Sequence, residues 1–209
     1  MSVRFQHGQN QNSFYFITFT YYKWLRLFKE ANAYDTAYKW FDHLHNNHIY
    51  VTGYVIMPNH VHVLLYFPQM PNSLNTVVGN AKRFMAYEII KRLEENKENK
   101  LLDLLHGGIK KREAKKGQIH KAFEDSFDAK ECFSEEFIFQ KLQYIHHNPV
   151  SKKWNLVNEF TDYEHSSASF YERGIKRYRN IVHVNDALAS KLPGSLPSTK
   201  PGEKTPGEQ

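Results

Sequence analysis

The pattern of apolar and polar positions is clearest between Gly53 and Phe67, where the sequence reads GYVIMPNHVHVLLYF. Two short apolar runs predict two strands, and the tight turn between them is predicted at Met57-Pro58-Asn59. Alternate side chains of the second strand lie on opposite faces. One face is uniformly apolar and is expected to pack on a core. The other begins with His60 and His62, so the pattern predicts two imidazoles side by side on a rigid strand.

Four other segments have a clear pattern. Phe14–Tyr22 is aromatic and β-branched, with apolar residues on both faces, which predicts a central strand. Apolar residues at helical spacing predict three helices, with Ser73 as cap of the second, Glu135 and Glu136 in the first turn of the third, and Pro149 ending the third. These helices are Ala31–Asn47, Ser73–Leu93 and Ser134–His147. A last strand is predicted at Asn180–Val184.

This order of elements predicts one α+β domain over residues 13–189. Two helices on one face of an antiparallel sheet suggest a ferredoxin-like or RRM-like sandwich whose other face is open for a ligand. Residues 94–117 form a charged connector with a short apolar segment, either mobile or docked as a short helix. Residues 1–12 are predicted to be a flexible N-terminus. Residues 190–209, rich in Pro, Gly, Ser, Thr and Lys, are predicted to be a disordered tail.

The charge of the chain favours a polyanionic partner. The 209 residues carry a net charge of +6, and the sequence pI is about 9.2. Cys132 is the single cysteine, which excludes an internal disulfide and favours a reducing compartment. No apolar run has the length of a membrane span, and the N-terminus has no signal-peptide core. A cytoplasmic protein without a membrane partner is therefore predicted.

The imidazole pair needs a partner before it can form a site. The sequence KLQYIHHNPV, residues 141–150, offers one at the end of the third predicted helix. Tyr144 and Asn148 are four residues apart and share a helix side, and His147 lies on a similar side. By spacing alone, an ordinary helix C-terminus with a buried tyrosine and an asparagine cap is the favoured explanation of this stretch, and most His-x-His pairs are incidental.

The two stretches together resemble a known family. MPNHVHVLL, followed about eighty residues later by YIHHNPV, closely resembles the REP-associated tyrosine transposases, which are single-tyrosine members of the HUH nuclease class. The resemblance covers roughly residues 14–172 and includes YFITFT, AKRF, SEEFIFQKL and YEHSSASFY. His60-Val61-His62 matches the motif that names the class, Tyr144 matches the nucleophile, and Asn148 matches the polar residue that completes the metal site.

The resemblance implies a C-terminal catalytic helix and a mechanism. His60, His62 and Asn148 would hold a divalent ion, Mg²⁺ or Mn²⁺, and His147 is a further candidate as base or ligand. Tyr144 would attack a phosphate of single-stranded or hairpin DNA, leaving a 5′-phosphotyrosine link and a free 3′-OH. Relatives act as monomers or homodimers, and both states are open here. Candidate phosphate contacts, chosen for charge, are Lys82, Arg83, Lys152, Lys153, Arg173, Lys176 and Arg177.

Two alternatives compete with the transposase interpretation. A non-catalytic, RRM-like module would use the aromatic residues to stack bases of single-stranded nucleic acid. A His-dependent phosphoesterase would use a hydrolytic water, although it would normally need a second histidine motif.

Overall fold

The computed structural model describes residues 11–70 and 72–190, and its centre is an antiparallel sheet. In that part of the chain the sheet has four strands in the order β2-β3-β1-β4. Their bounds are β1 Ser13–Thr20, β2 Tyr50–Met57, β3 His60–Phe67 and β4 Asp128–Cys132. The predictions for the flexible N-terminus and the disordered tail fall almost entirely outside the described residues.

The hairpin that carries the imidazoles forms as predicted. Strand β2 ends at Met57 and β3 begins at His60, so Pro58 and Asn59 are the two turn residues. Strand β1 pairs with β3 in a register that places Thr18 opposite His62. Because directly opposed residues share a face, the register brings a hydroxyl beside an imidazole.

One face of the sheet is covered by a helical layer. Its core side chains on β1 are Tyr15, Ile17 and Phe19, all fully or almost fully buried. The helices that follow in the chain are α1 Leu27–Glu30, α2 Tyr34–Asn46, α3 Leu74–Glu95, α4 Asn99–His106 and α5 Lys111–Ala114. Ser73 caps α3 by accepting from the amide of Thr76 at 3.1 Å. The predicted connector is thus partly helical, and Leu105 docks it on this core.

The other face of the sheet is also covered by a helix, whereas the sequence predicted that this face would be open. Helix α6, Glu135–His147, packs Ile138, Leu142 and Ile145 onto it because these apolar residues recur at helical spacing. Each such buried side chain contributes about 1.5–3 kcal/mol. Two short helices follow, α7 Ala168–Arg173 and α8 Val184–Ala189. The α+β class and the predicted C-terminal helix are confirmed, and the end of this face near His60 meets a cavity.

Two elements differ from the sequence-based predictions. The strand predicted at Asn180–Val184 is wrong, because Val184 begins α8 and the His183 side chain caps it by accepting from the amide of Asn185. Strand β4 was not predicted, since Asp128–Cys132 is short and charged, as edge strands commonly are. Among the described helices, none has the length and apolar character needed to cross a membrane.

Gly53 allows α6 to lie close to the sheet. A Cβ added there would lie 2.5 Å from Cδ1 of Leu142. Gly53→Val is therefore expected to lower the free energy of unfolding by about 1–3 kcal/mol through overpacking, measured by urea denaturation. Leu142→Ala is the matched partner change, because it removes the atom that clashes. The double variant should lose less stability than the two single losses added together, and strict additivity would contradict the proposed contact.

Candidate active site

The two imidazoles of β3 converge on one point. His60 and His62 are buried, and their Nε2 atoms lie 3.0 Å apart. Burial, with a smaller contribution from the Lys153 charge, lowers the pKa of His60 to about 4. Burial also lowers the pKa of His62 well below its usual range, helped by His60 and Lys141. Both rings are therefore neutral near pH 7, the form in which imidazole binds a metal.

A set of hydrogen bonds behind the imidazoles fixes their orientation. The amide nitrogen of Asn59 donates to the carbonyl of Trp24 at 3.0 Å, which turns Oδ1 of Asn59 towards His60. His60 Nδ1 consequently carries the proton and donates to that oxygen at 2.6 Å, which makes Nε2 the acceptor in its 3.0 Å contact with Nε2 of His62. His62 Nδ1 lies 2.7 Å from the hydroxyl of Thr18, which can accept or donate. Partners of this kind orient metal-binding histidines.

Tyr144 lies on α6 beside the imidazole pair. Its ring centroid is 5.1 Å from that of His62 and 5.9 Å from that of Phe16, and both contacts are edge to face. The side chain is half exposed, at 50%. The phenol is therefore neither sealed in the interior nor remote from the imidazoles. The alternative of a buried tyrosine at an ordinary helix end does not describe this residue.

Asn148 completes the group that the sequence predicted. It begins a 3₁₀ turn, Asn148–Val150, directly after α6, and it is buried. Its Oδ1 atom has no hydrogen-bond partner in the described part of the chain. An unsatisfied buried oxygen of this kind costs about 1–3 kcal/mol, which a bound cation would offset. Tyr144, Asn148, His60 and His62 all line the same cavity.

The cavity has a volume of about 380 Å³ and an aromatic rim. The indoles of Trp24 and Trp154 lie 5.8 Å and 5.5 Å from the ring of His60, measured between centroids. The ammonium of Lys153 lies over both indoles, at 4.3 Å from Trp24 and 5.3 Å from Trp154. Aromatic faces beside a cation suit a base and its phosphate. Thr18, His147 and Ser151 complete the lining.

Trp24 is held at the rim in an uncommon backbone conformation. Lys23 and Trp24 have φ values of 50° and 59°, in the left-handed region that few non-glycine residues adopt. Such residues persist where surrounding contacts hold them, and they cluster at functional sites. Here the Asn59 amide holds the Trp24 carbonyl. Sequence reasoning missed Trp24, Trp154, Thr18 and the bridging role of Asn59, because no motif joins these distant positions.

The two histidines before Asn148 have different surroundings. His147 is exposed at the cavity, donates from Nδ1 to the carbonyl of Gln143 at 3.0 Å, and stacks on Phe160 at 4.3 Å. Its Nε2 atom therefore has a free lone pair for a proton. His146 is buried instead, with Nε2 2.9 Å from the Ser167 hydroxyl. His146 belongs to the packing of α6, and His147 remains the candidate base.

His146 makes stability depend on pH. Burial, with a smaller effect from His147, lowers the pKa of His146 to about 3, whereas an unfolded histidine titrates near 6.5. The unfolded chain therefore binds more protons below pH 6.5, and the stability from neutral His146 is lost as pH falls from 6.5 towards 3. Between pH 7 and 5 the expected loss is on the order of 2 kcal/mol. His146→Gln should remove this contribution from a slope to which buried His60 and His62 also contribute, as measured by urea titrations over pH. His43→Gln, which removes an exposed histidine, is the control variant. A slope as steep in His146→Gln as in the unmodified protein would contradict the assignment.

The structure removes Lys82 from the predicted phosphate contacts. Lys82 is buried, and its ammonium donates to the backbone carbonyls of Glu124, Asp125 and Ser126. Burial lowers its pKa to about 8. The helical pattern of α3 did not indicate that Lys82 is buried, because the carbonyls that bind it belong to a segment about forty residues later in the chain.

The other predicted cations are dispersed. Lys153 lines the cavity, and Lys152 is exposed beside it. Arg83 is exposed on α3, in the layer on the opposite face of the sheet. The remaining three lie near α7 with local partners: Arg173 pairs with Asp162, Arg177 donates to Ser169, and Lys176 lies over Phe170. Of the seven predicted contacts, the structure brings Lys153 to the site.

The donor set suits a divalent ion with open positions. The described residues contain no group of three His, Cys, Asp or Glu side chains able to hold a metal. The imidazole pair would therefore take its third protein ligand from the amide oxygen of Asn148. Two nitrogens at about 2.1 Å from one ion can lie 3.0 Å apart, so the observed separation of the Nε2 atoms fits.

The fold and these side chains define a class: an α+β protein with a His-x-His pair on a central strand and a tyrosine on a facing helix. A solved structure of a REP-associated tyrosine transposase bound to a REP hairpin is similar to this chain. The TM-score is 0.52 with 14% sequence identity, over 99% of this chain and 100% of that one. The chain therefore has the fold of a REP-associated tyrosine transposase, as its sequence indicated. No family model and no curated protein matches it.

Proposed function

We propose that this protein is a metal-dependent single-tyrosine transposase that cleaves and rejoins single-stranded, hairpin-forming DNA. The observation that carries the proposal is the convergence of Tyr144, the imidazole pair and the unpartnered oxygen of Asn148 on one cavity. These groups come from a strand and a helix about eighty residues apart. The buried amide oxygen of Asn148 has no partner among the described residues, and a cation held between it and the two imidazoles would satisfy it.

His60 Nε2, His62 Nε2 and Asn148 Oδ1 would hold the ion. Mg²⁺ prefers oxygen ligands, so two imidazoles favour Mn²⁺ or another transition ion for tight binding. When bound, the ion supplies Lewis-acid stabilisation of the charge that grows on the scissile phosphate. Asn59 and Thr18 would keep both Nε2 atoms directed at it.

Tyr144 would be the nucleophile. Its phenol oxygen forms a bond to phosphorus while the bond from phosphorus to the 3′ oxygen breaks, so the products are a 5′-phosphotyrosine and a free 3′-OH. A phenol has a pKa of about 10, so a base must take its proton. His147 Nε2 lies on the same helix one turn later and is available for this step. A 3′-OH that attacks the phosphotyrosine rejoins the strands and restores the phenol.

The rim of the cavity would hold the DNA. Trp24 and Trp154 offer faces for unpaired bases, and Lys153 offers a charge for a phosphate. The similar solved protein is bound to a DNA hairpin, which supports the same kind of partner here. His62 and Tyr144 meet within one chain, so one protomer would be sufficient for cleavage. We assign the protein to the cytoplasm, where such DNA is accessible.

The test is covalent capture of DNA. Incubation with an end-labelled hairpin library and Mn²⁺ should give an SDS-stable adduct of protein and DNA, and chelation with EDTA should abolish it. DNA binding that resists chelation without an adduct would support the non-catalytic binding module. Strand cleavage without an adduct would support a phosphoesterase. Either result would overturn the proposed mechanism.

A further inference from the structure

The charged segment that follows α4 concentrates the positive charge of the chain. Residues 106–121 contain six Lys or Arg residues and one carboxylate, Glu113, so they carry +5 of the net charge of +6 with histidines neutral. Concentrated like charges repel one another and contribute nothing to packing. Their presence in one short segment therefore indicates a partner of opposite charge.

Four of these cations are free for such a partner. They are exposed, and none forms an ion pair within the described residues; they are Lys111, Arg112, Lys115 and Lys116, here named the basic platform. The other two cations are committed, because Lys110 and Lys121 both bind the carboxylate of Asp125. Glu113 accepts from the backbone amide of Lys110 and stays within its own turn.

The segment that carries the platform is fixed to Tyr22, in the 3₁₀ turn that follows strand β1. Gly108 packs so closely on the Tyr22 ring that an added Cβ would lie 2.6 Å from it. The amide of Tyr22 donates to the carbonyl of Ala122 at 2.9 Å. The ammonium of Lys121 lies 5.4 Å from the centre of the same ring. Contacts both before and after the platform therefore hold it against Tyr22.

This anchor places the platform next to the cavity. Tyr22 is two residues before Trp24, which forms the cavity rim beside His60. Between them, Lys23 is exposed, and its amide donates to Glu124, in the segment that follows the platform. A strand that leaves the cavity past Trp24 therefore meets Lys23 first and then the platform.

We propose that the basic platform binds the phosphate backbone of the DNA that extends from the active-site cavity past Trp24. This inference rests on the proposed function, because it takes DNA as the occupant of the cavity. Each phosphate that a cation neutralises releases counterions, so log K falls with log salt by about 0.9 per contact on duplex DNA. At 0.1 M salt, each contact therefore strengthens DNA binding about eightfold relative to 1 M salt.

The test compares two variants of equal charge. One replaces Lys111, Arg112, Lys115 and Lys116 with Gln. The matched control replaces four other exposed lysines with Gln: Lys39 on α2, Lys91 on α3, Lys97 in the turn after α3, and Lys100 on α4. Both changes lower the net charge from +6 to +2. Binding of a fluorescent DNA hairpin is measured over a salt series in a Tyr144→Phe background, so that no strand is cut.

The platform variant should lose at least about 100-fold in affinity at 0.1 M salt, and its salt slope should fall by about two to four. The control should lose less than about fivefold. Equal losses would show that bulk charge alone matters and would overturn the proposal. Unchanged DNA binding would also overturn it, as would binding of anionic lipid vesicles in place of DNA.

The two proposals fail in different experiments. Binding in the Tyr144→Phe background reports on the platform, whereas the covalent adduct of the unmodified protein reports on the proposed function. An adduct together with unaltered binding by the platform variant would remove the platform alone. Platform-dependent binding without any adduct would remove the transposase mechanism alone.

Discussion

Tyr144→Phe should abolish the covalent adduct with hairpin DNA and slow strand cleavage by roughly 10³-fold or more, the scale of losing a nucleophile. The change removes one oxygen and keeps the ring. The edge-to-face contacts with Phe16 and His62 therefore remain. DNA affinity should stay within about twofold, because the rim formed by Trp24 and Lys153 is unaltered. The adduct is quantified on denaturing gels, and affinity by fluorescence anisotropy.

The matched control is Tyr87→Phe. Tyr87 is 68% exposed on α3, on the opposite side of the sheet, so it is an accessible phenol remote from the cavity. Its loss should leave adduct formation unchanged. An adduct that persists in Tyr144→Phe would mean that another residue is the nucleophile, and peptide mapping of the adduct would then identify it.

His62→Ala should lower Mn²⁺ affinity by more than about 100-fold, since removal of outer partners alone costs 10–100-fold. One of the two converging nitrogens is lost, and the Thr18 hydroxyl is left without its imidazole partner. Calorimetric titration with Mn²⁺ measures this directly, independently of DNA. The adduct should disappear with the metal, because the phosphate charge would no longer be stabilised.

Two further variants test whether the loss of Mn²⁺ affinity is specific to the imidazole pair. His43→Ala removes an exposed histidine of α2 and should leave Mn²⁺ affinity unchanged. Thr18→Val keeps both imidazoles and removes the hydroxyl that orients His62, so a loss of 10–100-fold is expected. Retention of Mn²⁺ affinity in a folded His62→Ala protein, checked by circular dichroism, would show that the imidazole pair is not the metal site.

The sequence was most informative where a periodic pattern is local. The apolar pattern around Pro58 placed His60 and His62 on one face of a strand, and helical spacing placed Tyr144 and Asn148 on one side of the predicted third helix, which in the structure ends just before Asn148. These predictions needed a single element each, since side-chain direction follows from the backbone period. The same reasoning wrongly predicted a strand at Asn180–Val184, because the apolar pattern did not indicate the helix that begins there with a histidine cap.

The sequence by itself determined the elements, the faces of the strands and the residues that carry the family resemblance. The tertiary structure alone decided which distant groups meet. It buried Lys82 under three backbone carbonyls, joined Asn59 to Trp24 and His60, and fixed the basic platform beside Tyr22. The physical reason is that backbone periodicity is set by neighbouring residues. Register, burial and charge partners depend instead on contacts between segments tens of residues apart, which no local pattern records.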